Sequence, residues 1–334
     1  MRCVWSGTWV VLLGVTVLCA GVAAQDGEEG REPMWSDSLK NIEAGPGILD
    51  IGGSLRLRTE LFENFKIKRY APGDSDQMLL ERLRLDFNYQ LQDNLRAFIQ
   101  LQDAHFWLSD LHPRDFGPTC PYENPLDLKK GYVEWTHIND TPFGVRLGRQ
   151  AIWYRDKRVW GPGDWGNTGR YTWDALKLLI DTETVSTDLI GAQRVISDKH
   201  TFDDTHFDFD AYGVYSKIHK LPFDLDLLYI LKYDDHGTTV GESGIGNLES
   251  HSVGAYVDGT LRENWDWGGL AVYQFGDWGD DDIKAFGSNA RLGYTFDTAW
   301  KPRVGAEYSY ASGDDDPNDG DRSEERRVGK ECAT

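Results

Sequence analysis

Cysteine is scarce in this chain and positive charge is in deficit. The 334 residues hold four cysteines, Cys3, Cys19, Cys120 and Cys332. Three fall in terminal segments that stand apart from the fold, so no disulfide framework is expected and Cys120 reads as an isolated loop thiol. Lys and Arg total 35 against 55 Asp and Glu, a formal charge of −20. That excludes a nucleic-acid binder working through an overall basic surface. Hydrophobic residues reach only 40%, too few for a helical membrane protein. The eight histidines lack H-x-x-x-H spacing, so no zinc site is expected, and there is no G-x-S-x-G elbow. Gly241 to Gly246 has the glycine content of a phosphate loop, but no helix follows it, and it reads as a connection. No cofactor is expected. What is plentiful is aromatic side chains, 13%, beside 36 glycines, an unusual pairing for a soluble enzyme.

The two ends read as separate from the structure. Residues 1–24 have the layout of a secretory signal, with Arg2, an apolar run from Val10 to Leu18, and Val22-Ala23-Ala24 before Gln25. Residues 25–47 are expected to form a periplasmic segment. Arg322 to Cys332 resembles a translated sequencing adapter and continues no preceding pattern, so 322–334 is set aside as a non-native tail and 48–321 is taken as the structural unit.

From Ile48 onward one pattern repeats: about ten residues of period-two hydrophobicity, then a turn rich in Asp, Asn, Gly or Pro. Leu49, Ile51, Leu55, Leu57 and Leu61 share one parity, with Asp50, Ser54, Arg56, Arg58 and Glu60 on the other. Leu83, Leu85, Phe87 and Tyr89 oppose Arg82, Arg84, Asp86 and Asn88; after the tight turn Gln92-Asp93-Asn94, Leu95, Ala97 and Ile99 oppose Arg96, Phe98 and Gln100. Ten further segments follow, the last from Arg303 to Tyr310, and the one helical candidate is Trp35 to Ile42. The pattern predicts an all-β chain of about thirteen antiparallel strands.

A β-sandwich and a transmembrane β-barrel both alternate in this way. Strands near ten residues favour the barrel, as do connections that alternate short and long. So do aromatics expected at strand ends (Trp107, Trp135, Trp153, Trp160, Trp165, Trp173, Trp267, Tyr294, Tyr308, Tyr310). Charge decides: a charged side chain facing lipid costs about 2–4 kcal/mol at mid-depth, whereas a lumen side chain meets water. The Arg-bearing parity is therefore the lumen. Arg56, Arg58, Arg82, Arg84 and Arg96 would converge there as an anion-attracting cluster, with a stiffening lattice of ion pairs as the alternative use of each one.

The densest motif runs Val145-Arg146-Leu147-Gly148-Arg149-Gln150, then Arg158-Val159-Trp160-Gly161, Trp165-Gly166-Asn167-Thr168-Gly169-Arg170 and Trp173-Asp174-Ala175-Leu176. This pattern resembles the alginate export family of outer-membrane β-barrels, as does the later Tyr308-Ser309-Tyr310-Ala311-Ser312-Gly313-Asp314-Asp315. The resemblance implies a barrel of about eighteen strands, here lacking its C-terminal portion, with an Arg-lined passage for acidic polysaccharide. The matching positions are Arg149, Arg158, Arg170 and Asp174, and Arg155 stands where relatives commonly have Gly. The implied partners are outer-membrane lipid, an anionic polysaccharide or oligosaccharide, and the outer-membrane assembly machinery. Two other readings compete: a secreted polysaccharide-degrading enzyme, with Glu134 and Asp174 as first candidates for a carboxylate pair, and a carbohydrate-binding sandwich using Trp153, Trp160 and Trp165 as stacking rings. The acidic runs at Asp280–Asp282 and Asp314–Asp316 read as solvated loops rather than calcium sites.

Overall fold

Alternation at period two over whole segments leaves the chain one way to satisfy its backbone, pairing each segment with the next. The computed structural model does this. It describes residues 12–13, 38–63, 75–116, 120–161, 163, 166–169, 171–240, 245–312 and 321–322. Strand β1 (Leu12–Leu13) and strand β2 (Ile42–Ala44) are short and both pair with β3 (Gly47–Glu63). Then come β4 (Ser75–Gln92), β5 (Leu95–Trp107), β6 (Asn124–Trp135), β7 (Phe143–Gln150), β8 (Thr172–Asp181) and β9 (Val185–Ile196). β10 (Asp204–Ile218), β11 (Asp224–Val240), β12 (Ile245–Leu261), β13 (Trp265–Trp278), β14 (Asp281–Thr295) and β15 (Arg303–Ala311) complete the series, and the two-residue β16 (Asp321–Arg322) lies beside β14. β3 to β15 form one antiparallel meander in chain order. Of the helical candidate Trp35 to Ile42, the described part keeps only a 3-10 turn at Ser38 and Leu39; Ile42 then opens β2, because Ile42 and Ala44 gain ladder partners in Leu49 and Gly47.

The sheet curls. Across the path from β3 to β15 a flat sheet would separate the outer strands by about 58 Å. Yet Arg56 of β3 donates to the carbonyl of Gly166, while Arg158, eight residues earlier in the same loop, pairs with Glu307 of β15. Eight residues reach at most about 28 Å. The concave face carries the buried polar side chains, Arg58, Arg82, Gln100, Gln102, Lys129, Glu134, Lys177, Asp226, Ser250, Ser252, Gln274 and Asn289, and from β8 to β13 also an apolar cluster, including Ile190, Leu228, Ile230, Leu270 and Val272, against which Trp160 packs. The convex face shows Leu57, Leu83, Leu85, Ile99, Val133, Leu147, Leu176, Leu178, Val214, Leu227, Val253 and Leu292, all exposed. Such an inside-out distribution suits a lipid surround and no aqueous one. Among the described residues no ladder returns from β15 to β3, and every residue of β15 is exposed.

The expected aromatic positions divide. Trp107, Trp135, Tyr308 and Tyr310 are exposed at strand ends or on the convex face, joined by Trp265, Tyr273 and Phe275. Trp160 and Trp173 instead meet edge to face on the concave side, 5.7 Å between centroids, each at most 2% exposed. The concave wall makes room for them, since a Cβ on Gly213 would come within 2.7 Å of the Trp160 ring. Trp165 lies outside the described residues.

Candidate functional site

The concave space is crossed by the connection between β7 and β8. β7 delivers this chain at the end carrying the longer connections, yet residues 151–158 run down toward the short turns and 166–169 return. The descent is fixed by alternating side chains: Ile152 is buried against the wall, and Tyr154 stacks on Tyr215 of β10 at 3.7 Å and donates to Asp188 Oδ2 of β9 at 2.5 Å. Burial and the Asp188 carboxylate push the Tyr154 phenol far up its scale, so it stays a donor.

At the loop's tip Arg155 forks onto Asp226 of β11, Nη2 lying 2.6 Å from Oδ1, and reaches Asp258 Oδ2 of β12 at 3.2 Å. The Asp226 hydrogen bonds raise its already high pKa further. Arg158 pairs with Asp156 at 3.0 Å and with Glu307. On the returning limb the loop offers carbonyls rather than cations. Arg56 and Arg82 both donate to Gly166 O, at 3.1 and 3.2 Å, Gln102 donates to Thr168 O at 2.7 Å, and Lys129 donates to Gly169 O. Asn167, fully buried, gives its amide to the carbonyls of Glu81, His105 and Tyr122. The loop thus presents guanidiniums to an acid-bearing wall and backbone dipoles to a base-bearing one.

The residues singled out from sequence fall into three groups. Arg56, Arg58, Arg82, Arg84 and Arg96 do share the concave face. Arg56 and Arg82 hold the loop, Arg58 pairs with Glu60 at 2.7 Å, Arg84 donates to Gln102 Oε1 at 2.8 Å, and Arg96 shares Glu134 with Arg146. Arg158 belongs to the loop itself. Arg149 and Asp174 are the exception: they are cross-strand partners on the parity of the exposed Leu147 and Leu176. They form a bidentate pair at 2.9 and 3.0 Å, and Arg149 also donates to Asp203 O at 2.7 Å. This clasp ties β7, β8 and the segment before β10 together at the rim. Arg170 lies outside the described residues. Glu134 and Asp174, the candidate carboxylate pair, sit on opposite faces of the sheet and are each held by arginine, so they cannot flank one glycosidic bond.

Sequence reasoning missed Lys129, Tyr154, Lys177, Asp188, Asp226 and Asp258. The acids of β9, β11 and β12 do alternate onto the polar parity, which was a readable signal. Their partners sit more than thirty residues earlier in a loop without periodicity, which was not. Among the described residues no cluster of three or more His, Cys, Asp or Glu is arranged to hold a metal.

A family model described as alginate export matches residues 48–328. No curated protein matches. Among solved structures, Salmonella typhi OmpF in complex with daunomycin is 8% identical, with 81% of this chain and 92% of that one covered at a TM-score of 0.38. A loop-deletion mutant of OmpT, an outer membrane protein of Vibrio cholerae, is 14% identical, with 81% and 96% covered at 0.38.

Proposed function

This chain belongs to the alginate export family of outer-membrane proteins, and from that premise we propose that it is a channel passing acidic polysaccharide or uronate-containing oligosaccharide through a lumen lined by arginine. Family membership points to a transporter rather than an enzyme. The observation that supports the reading best is the curled sheet, apolar outward and polar inward, with guanidiniums on its inner face. Arg84 and Arg96 sit there half-buried beside exchangeable partners, an amide oxygen and a carboxylate, and Arg58 is buried behind them against Glu60. A passing carboxylate can trade places with such partners through charge-assisted, often bidentate contacts without stripping a cation bare. Arg56 and Arg82 act differently, positioning the inner loop that sets the width of the passage. Outer-membrane lipid meets the convex face, and the outer-membrane assembly machinery is the expected route of insertion.

Reversal potentials in planar bilayers under a KCl gradient test the reading. Wild type should favour chloride, and Arg58→Gln, Arg84→Gln and Arg96→Gln together should lower the chloride-to-potassium ratio several-fold. Cation preference in wild type would overturn it.

A further inference from the structure

The descending limb of the inner loop carries one large ring, Trp153, that is left more than half exposed. Ile152 and Tyr154 on either side of Trp153 turn to the wall, whereas Trp153, on a loop that crosses the enclosed space, is 54% exposed. Trp160 in the same loop is 2% exposed. An indole left facing an aqueous passage forgoes a large apolar burial, whereas the flat apolar face of a pyranose would restore it.

The Lys157 ammonium stands over this ring, 5.1 Å from its centroid. Arg155 and Arg158 flank Lys157 and both are committed to carboxylates. Among the described residues, Lys157 alone of these three has no carboxylate partner. Its placement is imposed: Arg155 and Lys157 hold φ of +46° and +65°, left-handed conformations that non-glycine residues keep only where surrounding contacts enforce them. The clamp of Arg155 on Asp226 and Asp258 supplies that enforcement.

We propose that Trp153 and Lys157 form a stacking subsite for one negatively charged pyranose, the indole taking the sugar's apolar face and the ammonium its carboxylate. The subsite rests on the channel reading and adds a defined binding step to it. Burial of the neighbouring Ile152 and Tyr154 keeps the backbone in place when Trp153 is changed.

The test uses tetragalacturonate as probe and neutral maltotetraose as control, with block of single channels and calorimetry on the detergent-solubilised protein as two readouts. Trp153→Ala should weaken tetragalacturonate binding about tenfold, equivalent to about 1.4 kcal/mol, and Trp153→Phe should retain most of it. Lys157→Met should remove the preference for tetragalacturonate over maltotetraose, while Lys220→Met, at an exposed turn, should change neither. Equal binding by wild type and Trp153→Ala overturns the subsite and leaves a chloride-selective channel standing. Trp153-dependent binding by calorimetry in a cation-selective channel does the reverse.

Discussion

Asp203 shows how one side chain ties the rim to pH. Its backbone N–H donates to Asp127 Oδ1 at 3.0 Å, its carboxyl accepts from Asn124 Nδ2 at 3.0 Å and from Asp198 N at 2.8 Å, and it is 6% exposed. Burial, reinforced by the adjoining Asp127 carboxyl, pushes its pKa up to about 7. The Asp198 N–H and the Lys129 ammonium oppose the rise and moderate it. A carboxyl raised in the folded state binds its proton more tightly there than in the unfolded chain, so its stabilising share is complete below the unfolded value near 4 and is lost as pH rises through about 7. The melting temperature should therefore fall by a few degrees between pH 4.5 and 7.5, and Asp203→Asn should flatten that slope. An unchanged slope in the variant would assign the effect elsewhere. Nothing local in the sequence around Asp203 announces this, because its partner Asp127 is 76 residues away.

At the scale of elements, the strands were legible and their ends were not. Val185 to Ile196 has the same bounds in sequence and structure, whereas the segment expected from Leu225 to Tyr233 continues to Val240 and its neighbour starts at Ile245 rather than Val253. Hydrophobic alternation lasts only as long as one face meets grease, while ladder hydrogen bonding continues as long as the partner does. The inner loop was legible only as a dense motif, since its course is dictated by walls contributed from remote strands. Its tip depends on the Arg155 fork, and Asp226 is 1% exposed. Arg155→Gln should cost about 2–3 kcal/mol of local stability, at or below the usual range for stranding a buried partner, read as faster hydrogen exchange over residues 151–161. It should also raise current noise in single channels. Arg155→Lys should not rescue, because an ammonium cannot make the forked contact. Wild-type exchange in Arg155→Gln would show the tip to be held by Tyr154 and Trp160 alone.

Seen whole, the inner surface is polarised across its width. β3 to β8 contribute Arg56, Arg58, Arg82, Arg84, Arg96, Lys129, Arg146 and Lys177 against the acids Glu60, Asp86, Asp127 and Glu134, whereas β9 to β15 contribute Asp188, Asp226, Asp234, Asp258, Asp281 and Glu307 against the cations Arg194, Lys232 and Arg291. A solute between such walls meets a transverse field as well as a net charge. Neutralising Glu307 and Asp258 should strengthen chloride preference, and neutralising the arginines should abolish it; equal shifts of the same sign would contradict the polarised arrangement. Reversal potentials decide between these.

Residue order alone determined that this chain is all-β, that its strands pair in succession, and that Arg56, Arg58, Arg82 and Arg84 take the face opposite to Leu55, Leu57, Leu83 and Leu85, since each follows from period-two alternation and the cost of charge in lipid. Only the tertiary structure decided what those arginines touch. The Gly166 carbonyl, 110 and 84 residues away, occupies Arg56 and Arg82, and the Arg149–Asp174 pair sits on the parity opposite to the lumen. Side-chain direction is a local property with a period, but a partner across an enclosed space is set by curvature, which no local period encodes.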